Sequence, residues 1–288
     1  MSRVIEMRTK DAAEGGTLPV GSPKDNNVHR VRVAGVPIDL MDRAMIMNWM
    51  DSLRRSKQRA VLANVNLHGL YMALKDPAMG DLLKSRDVAV QIDGMPIVWL
   101  ARLAGAPARA SHRQAHIDLI PELLKHCAKQ RWPVVIVGGL PEDVSPNLRA
   151  LREVAPGLDI QGFEGSFDLL CSGAESRQRK IVDAIRAISP ALLLVGMGMP
   201  KQERFIAANR CALGANMIMP VGGFADYFAG RTRTPPRWLG TLGLEWAYRL
   251  IHDPRRLAGR YLIEPFKLIA LLALRTFQGA PWGTNRCA

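Results

Sequence analysis

A chain of 288 residues, 48% hydrophobic and 23% charged, can bury a full core and is too apolar to remain disordered, so it folds as one large or two modest domains. Its 39 Lys and Arg outnumber 26 Asp and Glu, and the net charge of +13 calls for an anionic partner, either nucleic acid or an anionic membrane surface. Cys127, Cys171, Cys211 and Cys287 stand far apart with no CxxC, and the six histidines form no HExxH, so no metal or redox site is signalled and a reducing cytosol fits best.

Residues 1–28 are polar, contain Gly-Gly, Gly-Ser and Asp-Asn-Asn, and have no apolar core of a signal peptide; they are expected to be disordered. Val31–Val33 and Val36–Ile38 around Ala34-Gly35 predict a hairpin. A helix follows from Asp42 to about Ser56, with Met45, Ile46, Trp49 and Leu53 on one face. Ala60–Ala63 reads as a strand running into Asn64-Val65-Asn66, and two helical pieces cover Leu67–Leu74 and Pro77–Ser85. Val88–Ile92 is a second apolar strand. It stops at Asp93-Gly94, where glycine can turn the chain through a positive φ, and a helix follows from Met95 to Leu103 with Pro96 suited to its first turn. A carboxylate thus stands where a strand ends and a helix begins, the edge at which open α/β sheets bind ligands.

The alternation continues. A helix from Asp118 to Lys129 precedes the strand Val134–Gly139, and residues 142–154 are helical. Leu158–Phe163 is a strand, Arg177–Ile188 a helix, Ala191–Val195 a strand, Lys201–Cys211 a helix and Met217–Val221 the last strand. Apolar strands separated by helices of 10 to 15 residues predict an α/β fold, a Rossmann-like parallel sheet flanked by helices over residues 29–230. The strands end in Asn64/Asn66, Asp93-Gly94, Gly138-Gly139, Gly196/Gly198 and Gly222-Gly223. Several glycine turns on one edge favour a nucleotide or sugar-nucleotide crevice, although tight packing of helix on strand explains any single one. The GMGMPK run at 196–201 is neither the dinucleotide fingerprint nor a P-loop, which sets NAD and ATP aside.

Residues 231–288 differ in character. They hold ten basic residues against three acidic ones, a net +7. Two helical segments broken near Asp253-Pro254 carry arginines beside Leu, Tyr and Phe. The most apolar run, Leu268–Leu274, is too short to span a bilayer. This basic amphipathic C-terminal appendage fits a helix lying in the membrane interface; an ordinary surface helix packed on the core is the plainer reading.

NVN at 64–66, DGMPIVW at 93–99, VGG at 137–139, APGL at 155–158, VGMGMPKQE at 195–203, VGGFADYFAG at 221–230 and LEWAYRL with DPRR at 244–256 together resemble bacterial glycosyltransferases of the WecG/TagA/CpsF type. The resemblance covers roughly residues 30–265. It implies an inverting, metal-independent enzyme without cofactor that moves a sugar from a UDP-sugar donor to a polyprenyl-diphosphate-linked sugar acceptor. Such an enzyme works in surface-polysaccharide synthesis, peripherally at the cytoplasmic face of the plasma membrane, and can form a homo-oligomer. The residues agree, since no two aspartates stand two apart to hold a divalent metal and arginine neutralises a diphosphate well.

On this reading Asp93 is the general base, with Glu203 as the second candidate. Asn64 and Asn66 orient the donor, with the choice between them open. Gly138, Gly139, Gly196, Gly198, Gly222 and Gly223 admit the nucleotide. Gln202 and Asp226 bond sugar hydroxyls, and Gly94, Arg113, Asp118, Lys201 and Glu203 complete the substrate wall. Arg233, Arg237, Arg249 and Arg256 of the appendage are the candidates to stabilise the departing UDP. Glu245 and Trp246 read as ties between appendage and body. The chain departs from the family pattern at His116, where Gly is usual, at Ile117, where a small polar residue is usual, and at Thr234-Pro235-Pro236. The competing classes are a nucleotide- or RNA-binding protein using the basic tail and an inactive scaffold. Aromatic residues at 6% and at helical spacing argue against nucleic acid.

Overall fold

The computed structural model describes Gly21 and residues 28–166 and 173–277. The expected disorder of residues 1–28 falls almost wholly outside them; of the two positions described there, Gly21 donates its N–H to the Arg59 carbonyl at 2.9 Å and Val28 is buried.

β1 (His29–Val33) and β2 (Val36–Leu40) form the hairpin about Ala34-Gly35, both at positive φ, the conformation that matches strand twist in a two-residue turn. Asp39, buried on β2, accepts Arg30 Nε and the Val90 N–H, each at 2.7 Å. The Val90 bond, with Arg30 Nη2 donating to the Val88 carbonyl at 2.6 Å, clips the hairpin to β4 (Val88–Ile92).

Six parallel strands make the main sheet in the order β4-β3-β8-β7-β5-β6, with β3 at Ala60–Val65, β5 at Val134–Gly138, β6 at Ile160–Phe163, β7 at Leu192–Gly196 and β8 at Met217–Pro220. Every residue of β3, β4, β5 and β8 is buried, which is why these strands read as unbroken apolar runs. On one face, α1 (Arg43–Arg55) and α5 (His116–Gln130) bring Trp49, Leu53, Leu119 and Leu123 into one cluster with Leu62, Ile136, Leu194 and Met219. On the other, α2 (Leu67–Lys75), α3 (Pro77–Lys84), α7 (Ala174–Ile188) and α8 (Lys201–Asn209) add Leu70, Leu82, Ile185 and Phe205 to Val61, Val90, Leu193 and Val195. Each such side chain contributes about 1.5–3 kcal/mol by leaving water. α4 (Met95–Leu103), α6 (Pro141–Val154) and α9 (Phe224–Phe228) complete the layers.

Three helices start at side-chain caps: Asp42, Asn66 and Asp76 accept the N–H of Met45, Gly69 and Met79 at 2.9, 3.0 and 3.0 Å. Some boundaries move from expectation. β6 begins at Ile160 rather than Leu158, because the Leu158 N–H still bonds to the Ala155 carbonyl across the Gly157 turn. α5 begins two residues before Asp118. Gly94 makes its turn in the extended region (φ −122°) and needs no positive φ, so the conformational argument for glycine there is not what places Asp93.

The appendage breaks where expected, at Asp253, and once more. α10 (Arg237–Thr241) and α11 (Glu245–His252) separate at Gly243, whose φ is +72°. After Asp253, α12 (Pro254–Ala258), a π-helical turn (Gly259–Ile263) and α13 (Glu264–Phe277) follow without interruption. Leu268 and Leu272 are buried in the core cluster, and His68 Nδ1 lies 2.6 Å from Glu264 Oε2, so α13 is docked against α2. Among the described residues no helix is long and apolar enough to cross a membrane.

Candidate active site

The register that pairs Val65 with Ile92 brings the next residues, Asn66 and Asp93, side by side just beyond the strand ends. Asn66 Nδ2 donates to Asp93 Oδ2 at 3.1 Å while its Oδ1 caps α2, so one amide fixes both the helix and the carboxylate. The Asp93 N–H donates to the Val65 carbonyl at 3.0 Å. The segment entering α5 runs beside the end of β4. Ile92 bridges to Arg113, and the Gln114 N–H donates to the Ile92 carbonyl at 2.7 Å, which carries His116 up to Asp93.

From the other side the appendage closes over the carboxylate. Arg113 Nη2 meets Glu245 Oε2 at 2.9 Å, tying α11 to the body, and Arg249 one turn on stands over the Tyr227 ring at 5.4 Å. Burial alone would raise the Asp93 pKa. His116, Arg249, the Asn66 hydrogen bond and Arg113 outweigh it, so the carboxyl lies below the usual range and is ionised at neutral pH. Burial, helped by Arg249, likewise holds His116 below its ordinary value against the pull of Asp93, which leaves the imidazole neutral. Burial raises the Tyr227 phenol and keeps it protonated.

The structure therefore brings Asn66, Asp93, Arg113 and Arg249 together. Asn64 lies one pleat further in and is buried. Asp118 occupies the first turn of α5. Of the other appendage arginines, Arg233 is exposed, Arg256 is exposed and paired with Asp253, and the Arg237 side chain lies outside the described residues.

The glycine turns gather elsewhere on the same edge. A Cβ on Gly138 would lie 2.2 Å from the Gly196 carbonyl oxygen, and one on Gly196 would lie 2.7 Å from that of Gly222. Those two glycines serve the close approach of neighbouring strand ends, whereas Gly198 and Gly222, both at positive φ, have open space. Gly139 and Gly223 sit against the carboxylates of Asp143 and Asp226. Lys201 is exposed at the start of α8. Gln202 is occupied: its Oε1 accepts the Gly222 N–H at 2.9 Å and its Nε2 donates to Glu203 Oε1 at 2.8 Å. Burial pushes the Glu203 carboxyl up to about 7, opposed by the Gln202 bond, so at neutral pH much of it is protonated. Asp226 is held by Arg231 Nη2 at 2.6 Å, and Arg231 reaches Asn147 as well.

His116 was visible in the sequence as a departure, and Tyr227 carried no local signal. A tyrosine inside an apolar motif comes beside Arg249 only once the closing appendage is known. Among the described residues no group of three or more His, Cys, Asp or Glu is placed to hold a metal ion.

A parallel α/β sheet with an ionised carboxylate among arginines at its carboxyl edge has these groups where folds of this class bind their ligands. Residues 31–280 match the model of the glycosyl transferase WecG/TagA/CpsF family, and the chain belongs to that family and is a glycosyltransferase. It is 28% identical over 186 residues, 65% of this chain and 68% of the relative, to an N-acetylglucosaminyldiphosphoundecaprenol N-acetyl-beta-D-mannosaminyltransferase of Bacillus spizizenii. It is 27% identical over 212 residues, 74% and 79% of the two chains, to the protein of the same description in Bacillus subtilis.

Proposed function

We propose that the enzyme transfers a sugar from a UDP-sugar to a polyprenyl-diphosphate-linked saccharide in surface-polymer synthesis, by a single inverting displacement without a metal ion. The observation that carries this reading is the Asp93 carboxylate, held ionised between Asn66, Arg113 and Arg249 at the strand ends. Asp93 takes the proton of the acceptor hydroxyl as that oxygen bonds to the anomeric carbon. The bond from that carbon to the diphosphate breaks, and its electron pair leaves on the β-phosphate oxygen of UDP. Arg249, with Arg113 beside it, faces the charge that develops there. Glu203 is the weaker candidate for base, since it is 1% exposed and burial favours its protonated form.

The relatives named above are described as acting on N-acetylglucosaminyldiphosphoundecaprenol, so a lipid-anchored acceptor of that type is assigned here. Membrane association follows from that acceptor and from the appendage, where Trp238, Ile251, Phe266 and Ile269 are exposed among arginines. Residues 29–230 would then be the catalytic core and 231–288 the membrane-associating appendage that supplies Arg249.

The test offers a panel of UDP-sugars to the enzyme with a short-chain polyprenyl-diphosphate N-acetylglucosamine and EDTA. Product from one donor with inverted anomeric configuration, reduced about 10²–10⁴-fold in Asp93→Asn, is expected. Turnover near the wild-type level in Asp93→Asn, or activity abolished by EDTA, would overturn the mechanism.

A further inference from the structure

The β3–β4 pairing sets two polar rungs on one face of the sheet. Asn66 and Asp93 form the outer rung and are bonded to each other. One pleat inward, the register places Asn64 opposite Gln91, so their side chains project to the same face as the outer rung. Gln91 is 0% exposed and Asn64 5%. Neither Gln91 Oε1 nor Gln91 Nε2 nor Asn64 Oδ1 has a hydrogen-bond partner among the described residues, and the same is true of His116 Nε2 at the head of α5. An amide buried with both ends unsatisfied is costly, and in a strand of otherwise apolar residues a leucine would cost nothing of the kind.

Resting on the transferase reading above, we infer that Gln91, Asn64 and His116 form a specificity-determining subsite for the transferred hexose. It takes an uncharged substituent that both donates and accepts, a hydroxyl or an acetamido group. The direction of approach supports the donor over the acceptor. On that reading the lipid-linked acceptor comes from the membrane-associating appendage, beyond the strand ends, and Asp93 of the outer rung receives its proton. The inner rung is left to the sugar being transferred. A primary amide has a donating NH2 group and an accepting carbonyl oxygen and matches either substituent. The imidazole is neutral, for the reasons given above, so the subsite adds no charge of its own.

A site built to bond a polar substituent rejects the analogue that lacks it far more strongly than an apolar pocket can, because its own groups are then left unpaired. The experiment measures kcat/KM for UDP-sugars in which one ring substituent at a time is replaced by hydrogen, with wild type, Gln91→Met and Asn64→Ala. Wild type is expected to reject one analogue by about 100-fold or more. Gln91→Met should lose about tenfold or more of that discrimination for the same analogue and for no other. Its melting temperature should not fall, because methionine fills the volume and removes the orphaned amide. Asn64→Ala should erode discrimination against the same analogue. Ratios unchanged for every analogue in both variants would overturn the subsite while leaving the transferase reading intact. A uniform loss of turnover with a lowered melting temperature would overturn it too, since that is the signature of a packing role. Absence of transfer from any donor by the wild type would overturn subsite and function together.

Discussion

Two stretches of one sheet edge carry polar residues in opposite condition. At the ends of β5, β7 and β8 most are bonded to one another: Gln202 holds Gly222 and Glu203, Arg231 holds Asp226 and Asn147, and among these groups Glu203 Oε2 alone is buried without a partner among the described residues. At the ends of β3 and β4 they are concentrated and under-bonded, with Gln91, Asn64, His116 and Arg249 each keeping a buried atom without a partner among the described residues. Satisfied groups make a scaffold, and unsatisfied ones near an ionised carboxylate are reserved for a ligand. Motif content does not reveal the difference, because the glycine-rich stretch is the more recognisable of the two in sequence.

The largest effect that would break this comparison is at Arg249. Arg249→Ala should lower kcat by about 10²–10³-fold at saturating donor, with partial recovery in Arg249→Lys, because the fork geometry is lost but a charge is kept. A variant within a few-fold of wild type would move the leaving-group role to another cation.

The opposite stretch should answer in stability instead. Burial lifts the pKa of Glu203 in the folded chain to about 7, above the ordinary 4.5 of a glutamate. The folded state therefore holds a proton that the unfolded chain gives up, and wild-type stability falls as pH rises from about 4.5 to about 7. Glu203→Gln keeps the acceptor for Gln202 and removes the penalty. Denaturant unfolding should show it more stable by on the order of 3 kcal/mol above pH 7, with the gain vanishing toward pH 4.5. A variant that is equally stable at both pH values and loses turnover would make Glu203 part of the chemistry.

The smallest effect is expected at Arg256, which is exposed and, among the described residues, paired with Asp253 three positions before it. Arg256→Ala should leave turnover of a short-chain acceptor within about twofold and weaken binding to anionic vesicles about fivefold, as befits one surface charge. A large loss of turnover would extend the catalytic cluster beyond Arg249.

Much of the fold was legible because a parallel sheet buried on both faces writes its strands as apolar runs, and Asp93 stood out as the charge terminating one of them. The rest depended on register and on the appendage. Four tail arginines were equivalent in sequence, and Arg249 became distinct only because the break at Gly243 turns α11 over the strand ends. Gln91 and Asn64 stand 27 residues apart and were joined only by the pairing of β3 with β4. His116 had no spacing that marks a ligand or a base; a bridge from Ile92 to Arg113 delivers it.

The assignment of Asp93 is tested most directly by the pH dependence of wild-type kcat/KM. A base must be ionised to act, and Asp93 is held below the usual carboxylate range by His116, Arg249, Asn66 and Arg113 despite its burial. The rate should therefore keep its plateau as pH falls through about 7 and decline only at distinctly more acidic values. An acid limb centred on about 7, the value at which Glu203 titrates, would contradict the account and pass the role of base to that residue.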